Sequence, residues 1–224
     1  MNYFQKRIFK WSLKKLLPFI NFKRLERRYF HIKDSDFPYK EKFKEFLERA
    51  KKENLIYVKG IYKFFKAKGK ENSILILHNK KIIEFKFPRQ NSGERLCISD
   101  FVRKGNFNDR ICFFVLTAGI GVKEITLKLK EKGDFLFSYF LEALSLEMAE
   151  AGALFLNKKI KGKRFSFGYP TCPDLSYQKI IFEILKPEKI GIKLTENFMM
   201  EPESSISGFI INNPEAKYFN LEGK

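Results

Sequence analysis

Histidine is scarce: His31 and His78 are the only two in 224 residues. That argues against a histidine-based catalytic triad and against a histidine-rich metal site. Cysteine is nearly as rare. Cys97, Cys112 and Cys172 are far apart and form no Cys-x-x-Cys pair. This excludes a disulfide framework and any zinc or iron–sulfur site recognisable by spacing, and it fits a reducing, cytoplasmic setting. Long apolar runs are missing too. Lys14, Lys15, Lys23 and Arg24 interrupt the N-terminal hydrophobics, so no run approaches the ~20 residues that span a bilayer. No small-residue cleavage site follows, so the N-terminus does not read as a secretory leader and no membrane partner is expected.

Negative charge is also in deficit. Asp and Glu number 26 against 44 Lys and Arg, a formal charge of +18. Such a balance speaks to partners rather than to fold: nucleic acid, an anionic surface or an acidic protein. What the chain has in quantity is phenylalanine, 26 residues in all, so aromatic packing must supply much of the core.

Residues 3–30 carry Phe4, Ile8, Trp11, Leu13, Leu16, Leu17 and Phe19 at roughly helical spacing. They predict a basic amphipathic helix, ended or kinked at Pro18 and packed on the body. Residues 34–38 read as a turn and N-cap, and 39–54 as an amphipathic helix. From Leu55 the period changes to two. A strand over 55–65, a turn at 68–73, and a hairpin through His78-Asn79-Lys80 are expected, with His78 a turn residue rather than a ligand. Residues 97–102 suggest a short strand or loop edge. Arg110 to Thr117 is almost wholly apolar and predicts a strand buried on both faces. Gly119-x-Gly121 follows, but Glu124 stands where a nucleotide fingerprint needs its third glycine, so a tight strand-to-helix turn is the better reading. Helices are expected over 122–130, 134–157 and 175–185, the last capped by Asp174 or Ser176. An extended segment over 190–200, a turn at 201–205 and a strand over 206–211 complete the chain. The fold class is α+β: a single domain with a mainly antiparallel twisted sheet flanked by helices. Its expected parts are a basic N-terminal segment, 1–40, and a main domain, 41–224.

The candidate site centres on Arg164-x-x-x-Gly168-Tyr169-Pro170-x-Cys172-Pro173. Arg164 offers a planar fork for a carboxylate. Gly168 permits close backbone approach, and Tyr169 offers a ring face with a polar tip. Glu150 lies on the preceding helix among Ala149, Ala151, Gly152 and Ala153, small neighbours that let a ligand come close. Taken alone, the loop reads as an ordinary surface loop and Glu150 as an exposed helix residue.

Two further stretches change that balance: Leu194-Thr195-Glu196-Asn197-Phe198-Met199-Met200-x-Pro202-x-x-Ser205-x-Ser207-Gly208, and Asn213-Pro214-Glu215-Ala216-Lys217-Tyr218-Phe219. With the Arg164 motif, Cys97 to Val102, Thr117-Ala118-Gly119 and Glu150, they resemble the activation domain of cobalamin-dependent methionine synthase over residues 45–221. The resemblance implies a domain that binds S-adenosylmethionine and presents its methyl group to cobalamin carried by a separate partner, while flavodoxin or another donor supplies one electron. Cobalt is then the nucleophile, and the domain needs neither a side-chain nucleophile nor a resident metal. It implies that Arg164 pairs with the ligand carboxylate and Glu150 accepts from its ammonium or ribose. Gly168 approaches the adenosyl part, and Tyr169 and Tyr218 lie against the ligand. The chain also departs from the pattern. Setting Pro18-Phe19 on the family's Pro-Phe pair puts Lys15 where a ligand-binding aspartate belongs. Only residues 157–163 connect the Glu150 helix to the Arg164 motif.

No Asp-x-His-x-x-Gly cobalamin motif occurs in the sequence, so the expected role is a stand-alone reactivation subunit for a corrinoid-binding methionine synthase module. Two alternatives stand beside it: a degenerate relative that has lost the ligand, favoured by Lys15 and the short connection, and a basic nucleic-acid-binding module. No nucleic-acid motif supports the latter, and the lysines spread along the whole chain as a solvated surface would require.

Overall fold

The computed structural model describes residues 4–30 and 37–222; the side chains of Arg28, Phe37, Pro38 and Tyr39 are not described. The strands are β1 (Arg7–Ser12), β2 (Tyr57–Lys70), β3 (Ser73–His78), β4 (Lys81–Lys86), β5 (Asp109–Thr117), β6 (Lys163–Phe165), β7 (Lys193–Leu194), β8 (Met200–Glu201) and β9 (Ser205–Ile211). The helices are α1 (Leu13–Leu16), α2 (Phe22–Arg24), α3 (Phe37–Lys52), α4 (Val122–Glu131), α5 (Phe135–Ile160) and α6 (Tyr177–Leu185). Seven strands form one antiparallel sheet in the order β4-β3-β2-β5-β9-β6, with β1 also on β2. β7 and β8 make a separate small hairpin.

The sheet separates two cores, and β5 feeds both. Cys112, Phe114 and Leu116 face a core built with α5 and the N-terminal segment. Ile111, Phe113 and Val115 face a second core beneath α6. A strand's side chains alternate between faces, so a strand covered on both sides reads as the unbroken apolar run seen in the sequence. The phenylalanines pack edge-to-face or stacked across the sheet: Phe113 lies 5.1 Å from Phe85 and 5.6 Å from Phe209, centroid to centroid.

The expected N-terminal helix is corrected. Arg7–Ser12 is a strand, paired with β2 from Arg7 opposite Tyr62 to Ser12 opposite Tyr57. Phe4, Ile8 and Trp11 mimic helical spacing, but the decisive contact is Phe9 stacked on Trp11 at 3.9 Å, two residues apart on one face. Helix appears only at Leu13, with Ser12 as N-cap, and Pro18 lies in the 3-10 turn that follows. Trp11, Leu13, Leu16, Ile20 and Leu25 are buried in the same core as Phe140 and Leu144. The turn expected at 34–38 falls largely outside the described residues.

Smaller differences have local causes. β2 runs on to Lys70, so the turn expected at 68–73 shrinks to Glu71-Asn72. Residues 98–101 form a 3-10 turn rather than a strand, because the Asp100 carboxylate accepts from the amide of Cys97. The extended segment expected over 190–200 is the β7–β8 hairpin, turned by Phe198 at φ 60°. Asn79 and Lys80, both at positive φ, make the β3–β4 turn, and His78 is the last residue of β3. Among the described residues no helix is long and apolar enough to cross a membrane.

Candidate functional site

The site is assembled where β6 meets α5. β6 is the outer strand of the sheet, paired with β9 so that Arg164 is opposite Ile210 and Phe165 opposite Phe209. Gly208 makes that closeness possible: a Cβ there would lie 2.4 Å from the carbonyl oxygen of Phe165. Alternation sends Phe165 into the core beneath α6 and Arg164 to the side of α5. There Arg164 Nη2 donates to Glu150 Oε2 at 3.0 Å, with 19% and 34% of the two side chains exposed. Arg164 Nη1 is buried and has no hydrogen-bond partner among the described residues. That nitrogen is a donor without an acceptor, which an anion reaches once the contact with Glu150 opens.

The turn after β6 is held from below. Phe167 and Cys172 are buried, and Gly168 N–H donates to the Cys172 carbonyl at 2.9 Å while Cys172 N–H donates to that of Tyr169 at 2.7 Å. Gly168 sits at φ 86°, a left-handed conformation that glycine takes without strain. A Cβ there would also press on Leu175 at 3.1 Å. Burial, and secondarily the charge of Asp174, pushes the Cys172 thiol up to about 12, so this cysteine anchors rather than reacts. Tyr169, held at the tip, is 61% exposed.

Glu150 and Tyr169 line one cleft of about 280 Å³ together with Arg24, Tyr29, Glu147, Glu203, Ser204 and Ser205. Sequence reading missed Arg24 and Glu147. Glu147 is only 2% exposed, and Arg24 grips it with Nε to Oε1 at 2.6 Å and Nη2 to Oε2 at 2.7 Å. That hydrogen bond is the main reason the Arg24 guanidinium holds its proton above the ordinary arginine range. The one available signal was spacing: Glu147 stands three residues before Glu150, on the same helix face. Nothing in sequence pairs it with a residue 123 positions away.

Tyr218 lies elsewhere. It is 64% exposed, its ring 5.8 Å from that of Phe165 and beneath the Lys163 ammonium at 4.5 Å. It thus touches the face of β6 opposite to Arg164 and does not line the Glu150 cleft. Lys15 does not line it either; its ammonium is 5.3 Å from the Phe155 ring.

Much of the rest of the recognisable sequence is scaffolding. Thr117 Oγ1 donates to the Ser204 carbonyl at 3.0 Å and accepts from Gly119 N–H at 3.0 Å, which pins the segment carrying Ser204 and Ser205 to the end of β5. Ser207 Oγ donates to Gln178 Oε1, and Gln178 Nε2 donates to the Phe198 carbonyl. Asn213 Nδ2 donates to the Phe101 carbonyl at 3.0 Å and fixes the approach to Tyr218. A larger cleft of about 850 Å³, between α4, α5 and the 201–204 segment, holds none of the five residues singled out from sequence, whereas the smaller is lined by two of them, Glu150 and Tyr169; Arg164, Gly168 and Tyr218 line neither. It adjoins the smaller one through Leu146, Glu203 and Ser204. Side-chain chemistry, not volume, marks the smaller cleft as the centre.

Residues 13–162 and 154–223 match the family described as vitamin B12 dependent methionine synthase, activation domain. The methionine synthases of Mycobacterium leprae and Mycobacterium tuberculosis are 27% and 28% identical over 206 residues, covering 75% of this chain. The chain spans only 17% of the length of each. Among solved structures, the MetH reactivation domain bound to AdoHcy has the same fold, with a TM-score of 0.85 and 22% identity over 98% of this chain and 82% of that one. With both segments matched and the fold shared, the chain belongs to the methionine synthase activation-domain family.

Proposed function

We propose that this chain binds S-adenosylmethionine in the cleft between α5 and the Tyr169 turn, and serves as a reactivation module for a cobalamin-dependent methionine synthase or related corrinoid protein. The observation that carries the reading is the Arg164–Glu150 pair, with Arg164 Nη1 buried and unpartnered beside it. A zwitterionic amino-acid end can exchange into such a pair, its carboxylate taking the guanidinium and its ammonium the freed carboxylate. The remaining lining agrees. Two donors of Arg24 are committed to Glu147, whereas among the described residues Glu150 Oε1 and the carboxylate of Glu203 accept no hydrogen bond. Within a chain of charge +18, a lining of three carboxylates, Glu147, Glu150 and Glu203, against the one arginine makes this cleft locally acidic, which suits a cationic sulfonium ligand. The likeness to a domain solved with AdoHcy supports the same reading.

The cobalamin belongs to a separate module, as no Asp-x-His-x-x-Gly motif occurs in these 224 residues. Reduced cobalamin supplies the nucleophile there. What this chain's residues do is hold the methyl donor and orient it, a positioning task that needs no general acid or base. Flavodoxin or another reductase delivers the electron. Arg164, Glu150, Gly168 and Tyr169 are assigned to the ligand, and Tyr218 to its outer face. The test is reconstitution: with an oxidised corrinoid partner, a reductant and S-adenosylmethionine, the protein yields methylated cobalamin, and without the partner nothing turns over. Methylation of nucleic acid or protein with no corrinoid present would contradict the proposal.

A further inference from the structure

Two residues from the N-terminal segment reach the same cleft, and the backbone that delivers them is unusual. α2 runs straight into a π-helical turn over Leu25–Tyr29. In an α-helix residues three and four apart share a face, but π winding bonds i to i+5 and brings residues five apart into line. Arg24 and Tyr29 are five apart, and both line the cleft with Glu150 and Tyr169. Single π turns of this kind are frequent at functional sites.

The turn is fastened at both ends. Asn21 Oδ1 accepts from the amide of Arg24 at 2.9 Å. Leu25, fully buried, packs into the core. Tyr139 Oη donates to the Tyr29 carbonyl at 2.9 Å. The strongest tie is Arg24 on Glu147, a bidentate pair whose carboxylate is almost wholly out of water. α5 thus presents two carboxylates, one turn apart, to two arginines from distant parts of the chain: Arg24 from the N-terminal segment and Arg164 from β6. The two pairs differ in use. Arg164 retains an unpartnered buried nitrogen, whereas Arg24 spends its Nε and Nη2 on Glu147.

We infer that Tyr29 is a ligand-contacting residue of this site, a second aromatic wall besides Tyr169, and that Arg24 is a positioning residue that locks the π turn in place through Glu147. A ligand that carries both a flat heteroaromatic ring and a sulfonium charge gains from each ring face it meets. The inference rests on the S-adenosylmethionine reading for the identity of that ligand. It also relocates the N-terminal contribution to the site from Lys15, which lies on Phe155, to residues 24 and 29.

The test is calorimetric titration of the full chain with S-adenosylmethionine, run on wild type, Tyr29→Phe, Tyr29→Ala, Arg24→Lys and Arg24→Gln. Tyr29→Ala should weaken binding at least about fivefold, and Tyr29→Phe, which keeps the ring, should stay within about twofold of wild type. Arg24→Gln should weaken binding and speed amide hydrogen exchange over residues 21–30, while Arg24→Lys recovers part of both. Ligand added to wild type should slow exchange over the same residues. If Arg24→Gln does not fold, the two Tyr29 variants decide alone. Wild type that binds while Tyr29→Ala binds equally well overturns this inference and leaves the ligand reading standing. Wild type that does not bind at all overturns the ligand reading, and this inference with it.

Discussion

Replacing Arg164 by alanine separates the ligand role of this residue from any structural one. In the protein as it stands, Arg164 makes one 3.0 Å contact to Glu150, and the partners keep 19% and 34% of their side-chain surface exposed. Fully exposed pairs contribute about 0–1 kcal/mol, and this one is part-buried. Glu150, once released, can be solvated where it is, so Arg164→Ala should cost about 1–2 kcal/mol of stability, part of it the lost packing of the arginine stem. Ligand binding is another matter. A carboxylate held by an arginine fork makes charge-assisted hydrogen bonds of about 1.5–3 kcal/mol. Losing them lowers affinity by about 10- to 150-fold. Arg164→Lys keeps the charge but not the fork, and should fall between. The assays are urea denaturation for stability and calorimetric titration with S-adenosylmethionine for affinity. Wild-type affinity in Arg164→Ala would refute the carboxylate assignment. A stability loss of several kcal/mol with proportionate loss of binding would show the residue to be structural.

Three further outcomes follow from other parts of the molecule. Burial, the largest single influence on Asp100, pushes its carboxyl up, but the Arg89 hydrogen bonds at 2.7 and 2.9 Å, the Cys97 amide and the Arg89 charge together outweigh it and hold Asp100 below its usual value of 3.8. A depressed carboxylate contributes stability that is complete above its unfolded value and lost as pH falls through the folded one. Denaturation midpoints should therefore hold from neutral pH down to about 5 and drop below about 4, and Asp100→Asn should show a shallower acid loss; an unchanged acid slope would remove Asp100 from the account. All three cysteines are buried, and with the Cys172 thiol pushed up to about 12 a colourimetric thiol reagent should label none until the protein is unfolded; rapid labelling of native protein would contradict the packing beneath the Tyr169 turn. The +18 charge should draw an acidic electron donor by long-range attraction, so reactivation should slow steeply as salt shortens the screening length to ~8 Å and below. Salt-insensitive reactivation would mean that the basic surface takes no part in docking, and tight, salt-dependent nucleic-acid binding would favour the alternative partner class.

What the sequence made legible is what local pattern controls. β5 announced itself because its two sets of side chains enter two cores, and the 122–130, 134–157 and 175–185 helices stand close to where periodicity put them. The β3–β4 hairpin followed from its turn residues. β1 was hidden because a six-residue edge strand is specified by its partner, β2, some fifty residues later. For the site, Arg164, Glu150 and Tyr169 were visible as residue types in telling surroundings. Glu147 and Arg24 were not, for a part-buried ion pair across 123 residues leaves no local trace. Tyr218, next in sequence to Lys217 and Phe219, gave no sign that its ring would lie on Phe165, across β6 from Arg164.

Whether the cleft of α5 and the Tyr169 turn binds S-adenosylmethionine is decided by calorimetric titration of the wild-type protein at about 0.05 M and about 0.5 M salt. Saturable binding of about one ligand per chain is expected, with little change between the two conditions because charges in a partly enclosed cleft are screened far less than surface charges. Absence of binding at millimolar ligand would contradict it, and would place the chain among relatives that keep the fold without the ligand.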